Sequence, residues 1–178
     1  MNILHPTTYP NSRNGRLCDQ QAEIRRLAYA LKETACRCAD IEKAALAMAP
    51  LIQGPCWLVP VPNSHCSLIP NARLCAAIAS HVPGAQMVPA ITRTAPIPSQ
   101  CLLHKASLPP IRAEEHHIRA TGRSLGLRQV YFVDNVATSG NTMAAAYAAL
   151  GRGAGLVFAA TTNHPTAHAE PSLFTFNQ

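Results

Sequence analysis

The sequence predicts a single-domain α/β fold with a mainly parallel sheet flanked by helices. The chain has 178 residues and 48% hydrophobic content, which suffices for one sizeable core and does not require a second. Apolar runs typical of buried strands alternate with segments of helical periodicity, and such alternation indicates a parallel sheet covered on both faces. Ligands of these sheets bind outside the carboxyl ends of the strands.

Two segments precede the first predicted strand. Residues 1–18 are rich in Pro, Asn, Thr and Arg without periodicity, and we expect an N-terminal arm there. Residues 19–50 carry two apolar stripes that predict one long helix or two short ones, either flanking the sheet or capping a binding site. The domain itself is assigned to residues 19–164, and residues 165–178 form a C-terminal tail.

Four apolar runs predict the strands of the sheet. They are residues 57–61, 86–91, 130–133 and 156–161. A helix is predicted after the first of them, where Pro70 and Asn71 form a plausible start and a stripe continues to Val82. A second helix is predicted over residues 142–150 and ends at Gly151, a natural left-handed cap.

The segment from residue 130 to residue 142 carries the strongest functional signal. The apolar run 130–133 stops at a carboxylate, Asp134, and small, hydroxylated and flexible residues follow, among them Ser139 and Gly140. In a unit of strand, loop and helix, the main-chain N–H groups of the loop converge on the positive end of the helix and can hold a phosphate. Hydroxyl groups add donors, and glycine permits close approach. The loop therefore predicts a phosphate site.

Two polar residues stand between this strand and the loop. Asp134 and Asn135 can bond sugar hydroxyls, and a phosphate beside a polyol is a sugar phosphate. The alternative is that Asp134 caps a turn while Thr138 and Ser139 begin a helix. Other phosphate motifs fit less well, because no Gly-Lys-Ser/Thr sequence is present and the glycines from Gly151 onward follow a helix and not a strand.

The order of these parts resembles the signature of the type I phosphoribosyltransferases. In that family, a buried strand ends in two acidic residues, which meet the ribose hydroxyls of phosphoribosyl pyrophosphate (PRPP), and a Thr/Ser-Gly-x-Thr loop binds its 5′-phosphate. The resemblance implies a type I phosphoribosyltransferase-like fold, with Asp134 and Asn135 as the catalytic residues. It also implies a phosphate loop formed by Ala137, Thr138, Ser139, Gly140, Asn141 and Thr142.

Position 135 departs from the family pattern, because Asn stands where the family usually has Asp. The side chain keeps a hydrogen-bonding group and loses one negative charge. Transfer from PRPP passes through a sugar with oxocarbenium character, which negative charge stabilises. The sequence therefore supports PRPP binding more strongly than turnover.

The resemblance extends to the pyrophosphate end of the ligand. Pro62, Asn63 and Ser64 follow a predicted strand, and in the family the corresponding loop binds pyrophosphate through backbone amides. Residues 93–128 contain six basic and two acidic residues. The resulting positive electrostatic field suits a ligand with several negative charges. Within it, Arg93, Lys105 and Arg112 would neutralise pyrophosphate. Mg²⁺ would bridge ligand oxygens, and no protein metal site is predicted.

Part of the sequence looks like that of the ComF branch of the family. Arg93, Pro98-Ser99-Gln100, Leu103, Arg112 and Ile118 look like that branch, and residues 93–120 would be a flexible loop over the reacting centre. The Asn and Phe that follow the later Arg in the branch are replaced here, between His116 and Arg119. The branch also carries Arg-Gly-Phe-Asn-Gln after its Pro-Val-Pro strand and an N-terminal four-cysteine metal finger, and both are absent from this sequence.

The expected function is transfer of the phosphoribosyl group from PRPP to a base or amine acceptor, with release of pyrophosphate. Two alternatives stay open. The first is a non-catalytic protein that senses PRPP, suggested by Asn135. The second is an accessory protein of DNA uptake, suggested by the net charge of +6, although an aromatic content of 5% offers few stacking surfaces for nucleic acid.

Residue types that bind metals are present without a convincing pattern. The seven cysteines are an odd number, and reduced core thiols are the simpler interpretation, although Cys18, Cys36 and Cys38 could share a metal. His116 and His117 beside two glutamates predict a surface cluster. We expect a cytoplasmic protein without a membrane span or signal peptide, and a homodimer is the default for the family.

Overall fold

A parallel sheet of six strands forms the centre of the fold. The computed structural model describes residues 1–10, 17–99, 103 and 106–161. The sheet runs in the order β1-β8-β7-β3-β4, with β2 also pairing with β8, and every pairing within it is parallel. Its strands are β1 (Ile3–Leu4), β2 (Thr7–Thr8), β3 (Cys56–Pro60), β4 (Gln86–Met87), β7 (Gln129–Ala137) and β8 (Ala154–Ala160).

Four α-helices are present in the described residues. They are α1 (Asp19–Ala30), α2 (Cys38–Met48), α3 (Ile69–His81) and α4 (Asn141–Leu150). The segment 19–50 thus forms two short helices. The first ends at Ala30, and the backbone is extended at Arg37, immediately before the second. The helix predicted to end at Gly151 does so, with this glycine in the left-handed conformation at φ +73°.

The hydrophobic core lies on both faces of the sheet. Leu27, Met48 and Ile78 from α1, α2 and α3 pack on one face. Met143 of α4 packs on the other face against Phe132, which is fully buried. Each such side chain contributes about 1.5–3 kcal/mol when it leaves water. The predicted α/β class, with a mainly parallel sheet flanked by helices, is confirmed.

A second, antiparallel pair lies beside the main sheet. It consists of β5 (Ile91–Arg93) and β6 (Ile118–Ala120), with Arg93 opposite Ile118 in the register. The sequence predicts one strand over residues 86–91, whereas the structure divides this run between β4 and β5. Pro89 lies at the break, and proline cannot donate a ladder hydrogen bond. The segment 94–117 is therefore held at both ends by paired strands.

The N-terminal segment corrects one expectation. Residues 1–10 belong to the predicted arm, yet Ile3 is buried and pairs with Gly155 at the edge of the sheet. The N–H of Gly155 donates to the main-chain oxygen of Asn2 at 2.9 Å, and that of Tyr9 donates to Ala160 at 2.7 Å. This part of the arm is integral to the sheet because it covers the open edge of β8. The tail assigned to residues 165–178 lies outside the described residues.

Candidate functional site

The carboxyl ends of β3 and β7 lie side by side. Pro60 is opposite Val133 in the register, and the N–H of Val61 donates to the main-chain oxygen of Val133 at 3.0 Å. The two loops that follow these strands therefore emerge at the same edge of the sheet. The structure thus brings together the predicted phosphate loop and the predicted pyrophosphate loop, which are about seventy residues apart in the sequence.

The loop between β7 and α4 is open to solvent. Thr138 and Ser139 are exposed, and Gly140 adopts a left-handed conformation with φ +77° where the helix begins. Within the described residues, the main-chain N–H groups of Ser139, Gly140 and Thr142 have no hydrogen-bond acceptor. Unsatisfied amides at the positive end of a helix are the arrangement that holds an oxyanion.

This loop is braced from the neighbouring strand. Thr161 follows β8, and its N–H donates to the oxygen of Ala137 at 3.1 Å. Its hydroxyl donates to the oxygen of Thr138 at 2.8 Å. Both bonds use carbonyl oxygens of the loop, so they fix its position without engaging the N–H groups of Ser139, Gly140 and Thr142.

Asp134 supplies the carboxylate at this edge and is partly buried. Its Oδ1 accepts a bond from Nδ2 of Asn71 at 3.0 Å and one from the N–H of Asn135 at 2.8 Å. Within the described residues its Oδ2 accepts no hydrogen bond. Burial raises the pKa of Asp134, while these hydrogen bonds and the charges of Lys32 and Arg93 oppose the increase. One oxygen of the carboxylate is thus fixed and the other is available.

Asn135 lies in a different environment from its neighbour. Its side chain is buried, and Nδ2 donates to the main-chain oxygen of Ala28 in α1 at 3.0 Å. The amide therefore holds the end of α1 against β7, and its nitrogen is already bonded. The structure does not pair this side chain with the available oxygen of Asp134, and its role as a ribose ligand stays a prediction.

The loop after β3 is closed on itself by Asn63. Oδ1 of Asn63 accepts bonds from the N–H groups of His65 at 3.0 Å and Ser67 at 2.9 Å. Pro62 is buried, whereas Ser64 is partly exposed, and its N–H has no acceptor within the described residues. The loop is thus a preformed turn with a main-chain donor left over.

Arg93 lies beneath this loop and is only 5% exposed. Its Nε donates to the oxygen of Asn63 at 2.9 Å, and its terminal nitrogens donate to the oxygens of Pro62, at 3.2 Å, and of His116. Burial lowers the pKa of Arg93. No described carboxylate forms an ion pair with it. Arg93 therefore joins the loop after β3 to the segment before β6 through hydrogen bonds, and its charge makes the electrostatic potential at this loop more positive.

The other predicted pyrophosphate residues occupy the segment between β5 and β6. Lys105 lies outside the described residues, and Arg112 is exposed. Next to it, the main-chain oxygen of Ile111 accepts a bond from Nδ2 of Asn141 at 2.7 Å. This bond brings the Arg112 segment to the start of α4. The Asn141 side chain therefore positions this segment, because its amide nitrogen already donates to Ile111.

His116 corrects the predicted surface cluster. The ring is 1% exposed, and neither of its nitrogens has a hydrogen-bond partner among the described residues. Burial and the nearby charge of Arg93 lower the pKa of His116 to about 4. The residue closes the 3-10 turn Ala113–His116, and packing of this turn against α4 takes the ring out of solvent.

Metal-binding residue types are dispersed through the described part of the chain. Six cysteines there are free thiols, and no group of three or more His, Cys, Asp or Glu could hold a metal ion. A Mg²⁺ ion held mainly by ligand oxygens needs few protein donors, and Oδ2 of Asp134 fits as one of them. Among the described residues, no helix has both the length and the apolar character to cross a membrane.

The chain matches no protein-family model and no curated protein.

Two positioning residues were not recognised from the sequence. The sequence predicts only a helix start at Asn71, whereas its buried Nδ2 donates to both Asp134 and the main-chain oxygen of Val61, the latter at 2.7 Å. For Thr161 the sequence predicts only the end of a strand. The sequence shows each of these residues only as a polar residue beside apolar neighbours, and this pattern does not identify its hydrogen-bond partner.

Proposed function

We propose that this protein binds PRPP at the joined carboxyl ends of β3 and β7 and transfers its phosphoribosyl group to a nitrogenous acceptor. The observation that carries the proposal is the solvent-exposed loop after β7, in which the N–H groups of Ser139, Gly140 and Thr142 have no acceptor among the described residues and follow Asp134 by a few positions. An oxyanion site beside a single carboxylate suits a phosphate ester of a sugar. The type I phosphoribosyltransferase-like fold is part of this proposal.

Each part of the ligand has a protein counterpart. The 5′-phosphate would occupy the amides of Ser139, Gly140 and Thr142, which have no acceptor in the described chain. The ribose hydroxyls would bond Oδ2 of Asp134. Pyrophosphate would lie over the turn that begins at Asn63, where an unpaired N–H and the buried charge of Arg93 favour an anion.

The reaction is a displacement at C1 of the ribose. The lone pair of the acceptor nitrogen forms the new bond to C1, and the bond between C1 and the pyrophosphate oxygen breaks with its electrons going to pyrophosphate. An acceptor that begins as N–H releases its proton to water. Positive charge develops on the ring as the old bond breaks, and the Asp134 carboxylate stabilises it. When bound, Mg²⁺ would neutralise charge on the leaving pyrophosphate.

The antiparallel pair β5 and β6 supports the same interpretation. These strands hold both ends of the segment 94–117, and the bond from Asn141 to Ile111 attaches that segment to the phosphate loop. Arg112, next to Ile111, is exposed near this attachment. A cation on such a segment can reach a bound pyrophosphate and exclude water from it.

A second function keeps the ligand and omits the chemistry. Asn135 favours it, because its amide carries no charge and its Nδ2 is already bonded to Ala28, so that of this pair only Asp134 supplies a negative charge next to the ribose. In this case the protein senses PRPP and does not consume it.

Two measurements test these proposals in order. Calorimetric titration with PRPP and Mg²⁺ is expected to show saturable binding that free ribose does not reproduce, and absence of binding refutes both functions. Release of pyrophosphate is then measured with a panel of bases and amines. Release with any acceptor establishes the transferase, whereas tight binding without release from any of them supports the sensor.

A further inference from the structure

A cationic surface lies at the amino ends of the parallel strands, at the edge of the sheet opposite the proposed PRPP site. Because β3, β4, β7 and β8 are parallel, the loops that lead into them meet at this edge. These loops are residues 52–55, 82–85, 121–128 and 151–153. They contain three arginines and no acidic residue. We call Arg123, Leu127, Arg128 and Arg152 the amino-edge surface.

The loop before β7 is attached to the sheet and to the loop before β8. The indole Nε1 of Trp57 in β3 donates to the main-chain oxygen of Leu125 at 2.6 Å, and a terminal nitrogen of Arg152 donates to that of Gly126 at 2.5 Å. The Arg128 guanidinium lies 4.9 Å from the centre of the Trp57 ring. These three contacts hold the arginines of the two loops near one another.

The positive charge of the amino-edge surface is not balanced by a described carboxylate. Arg123, Arg128 and Arg152 form no ion pair within the described residues, whereas Arg26 of α1 pairs with Asp40. Arg128 contacts an aromatic ring, and Arg152 donates one hydrogen bond to main chain. A guanidinium has five N–H groups, so each of the three arginines keeps donors for an anion.

A leucine stands among these cations. Leu127 is 100% exposed and lies directly before Arg128. The preceding Gly126 has φ +53°, and no protein atom lies within 4 Å of the position that a Cβ would take there. The turn therefore stands clear of the neighbouring protein. An exposed leucine is ordinary on a protein surface, but an apolar side chain that projects between arginines suits an interface with both an anionic and an apolar layer.

We infer that the amino-edge surface binds a membrane surface rich in anionic phospholipids. The headgroup phosphates and carboxylates accept hydrogen bonds from the arginines, and Leu127 enters the boundary between the headgroups and the acyl chains. Such binding is peripheral and requires no helix that crosses the membrane. It goes beyond the proposed function and does not depend on it, because the PRPP site lies at the other edge of the sheet.

Other anionic partners suit this surface less well. Nucleic acid offers phosphates but no apolar layer for Leu127, and the Arg128 guanidinium covers one face of Trp57, which leaves less of that ring for stacking a base. A peptide that binds through apolar side chains needs a groove to receive them, whereas Leu127 projects from the protein. A lipid surface accepts a projecting side chain without a matching pocket.

Vesicles of two compositions test the inference. The full chain is mixed with vesicles of phosphatidylcholine alone or of phosphatidylcholine with phosphatidylserine, and cosedimentation measures the bound fraction. The anionic vesicles are expected to bind at least about tenfold more tightly at low ionic strength, and this binding should weaken as salt is added. Equal binding to both compositions, or no binding to either, would overturn the inference.

Trp57 reports which face of the protein meets the vesicle. It is the only tryptophan of the chain, and it lies at the amino end of β3 next to Arg128. A nitroxide on the lipid headgroup quenches tryptophan fluorescence at short range. Labelled anionic vesicles should therefore quench Trp57 more than unlabelled ones do. Vesicle binding without this quenching would place the contact on another face and refute the assignment.

Matched variants assign the binding to individual side chains. Leu127→Gln and Arg123→Gln change exposed residues of the amino-edge surface, and each should weaken binding to anionic vesicles about fivefold. Leu46→Gln, at a 54% exposed position of α2, and Arg112→Gln, at an exposed position beyond the other edge of the sheet, are the controls. The controls should have little effect. Losses of the same size in all four variants would indicate a general effect of charge and hydropathy and overturn the inference.

A nucleic-acid arm completes the test. Binding of a fluorescent DNA oligonucleotide is measured by anisotropy with the same variants. DNA binding that falls in Arg123→Gln but not in Leu127→Gln, together with no preference for anionic vesicles, would assign the amino-edge surface to nucleic acid and refute a membrane role. Vesicle binding that falls in both variants, with quenching of Trp57, supports the inference whether or not PRPP binds.

Discussion

Asn71 of α3 donates its side-chain amide both to Oδ1 of Asp134, at 3.0 Å, and to the main-chain oxygen of Val61, at 2.7 Å. One buried side chain therefore joins the ends of β3 and β7. Because Oδ1 is held in this way and also accepts the N–H of Asn135, the carboxylate has a fixed orientation with Oδ2 available. The proposed ribose contact is thus preorganised before a ligand arrives.

Loss of the Asp134 carboxylate should weaken PRPP binding. Asp134→Ala removes a charged acceptor for the ribose hydroxyls, and a hydrogen bond to a charged group contributes about 1.5–3 kcal/mol, so affinity should fall by at least about tenfold. Calorimetric titration with PRPP and Mg²⁺ measures it. Asp134→Asn keeps the shape and an acceptor oxygen and should lose less. Unchanged affinity in Asp134→Ala would show that the site is assigned wrongly.

The two glycines that flank α4 allow the effect of the loop geometry on binding to be distinguished from the effect of backbone strain on stability. Gly140 and Gly151 both have positive φ, at +77° and +73°, and stand at opposite ends of the helix. Alanine at either position should lower the free energy of unfolding by about 1–2 kcal/mol. Only Gly140→Ala should also weaken binding of PRPP, because it alters the amide loop. Equal affinities in the two variants, measured by calorimetry beside urea unfolding, would contradict a phosphate site there.

Arg93 should be required for stability more than any exposed arginine nearby. Arg93→Met leaves the buried oxygens of Pro62, Asn63 and His116 without this donor, which should cost roughly 2–4 kcal/mol of unfolding free energy. Arg112→Met changes an exposed side chain and should alter stability by no more than about 0.5 kcal/mol. Urea unfolding at neutral pH compares the two. Similar stabilities would argue against the bracing role of Arg93.

The elements of the fold that were predictable are those with a strong local pattern. The run at residues 130–133 is apolar at every position, so a buried central strand was the natural prediction, and β7 contains it. Gly151 marked the end of α4 for a steric reason that acts within a single turn. In contrast, β1 and β2 are each two residues long and gain their order from pairing with β8, which no local pattern reveals.

The candidate site was predictable as a sequence segment and less so as a set of contacts. The position of the amide loop followed from the change of residue type after Asp134. The partners of Asn135 and His116 did not, because each depends on residues distant in sequence: Ala28 accepts the Asn135 amide, and packing against α4 buries His116. A polar residue can bond a ligand or brace the protein, and only its neighbours in space decide between these roles.

Asp40 should make the helical layer sensitive to acid. Its buried carboxylate bonds Arg26 and Arg37, which hold its pKa far below the ordinary value. A lowered pKa in the folded state contributes stability that is fully present above the unfolded-state pKa, declines as the pH falls below that value, and is lost as the pH falls through the folded-state pKa. Asp40→Asn should therefore lower the free energy of unfolding at pH 7 by about 1–3 kcal/mol, and by a smaller amount near pH 3, where part of this contribution is lost. An equal loss at both pH values, measured by urea unfolding, would contradict this linkage.

Asn135→Asp tests whether the acidic pair of the phosphoribosyltransferases can be rebuilt here. By resemblance alone, a second carboxylate would restore the charge that stabilises the developing cation and so increase turnover. The structure gives a different expectation for stability, because Nδ2 of Asn135 donates to the oxygen of Ala28 in a buried site. A carboxylate would place two acceptors against each other, so the variant should lose roughly 2–3 kcal/mol of unfolding free energy.

The pH dependence of this loss identifies its cause. Burial beside a carbonyl would raise the pKa of the introduced carboxyl above its unfolded value, and such a group destabilises the fold as the pH rises through that range. The loss in Asn135→Asp should thus be smaller at pH 4 than at pH 8, whereas Asn2→Asp, at an exposed position, should change little at either pH. A loss that is the same at both pH values would point to altered packing and not to a buried charge.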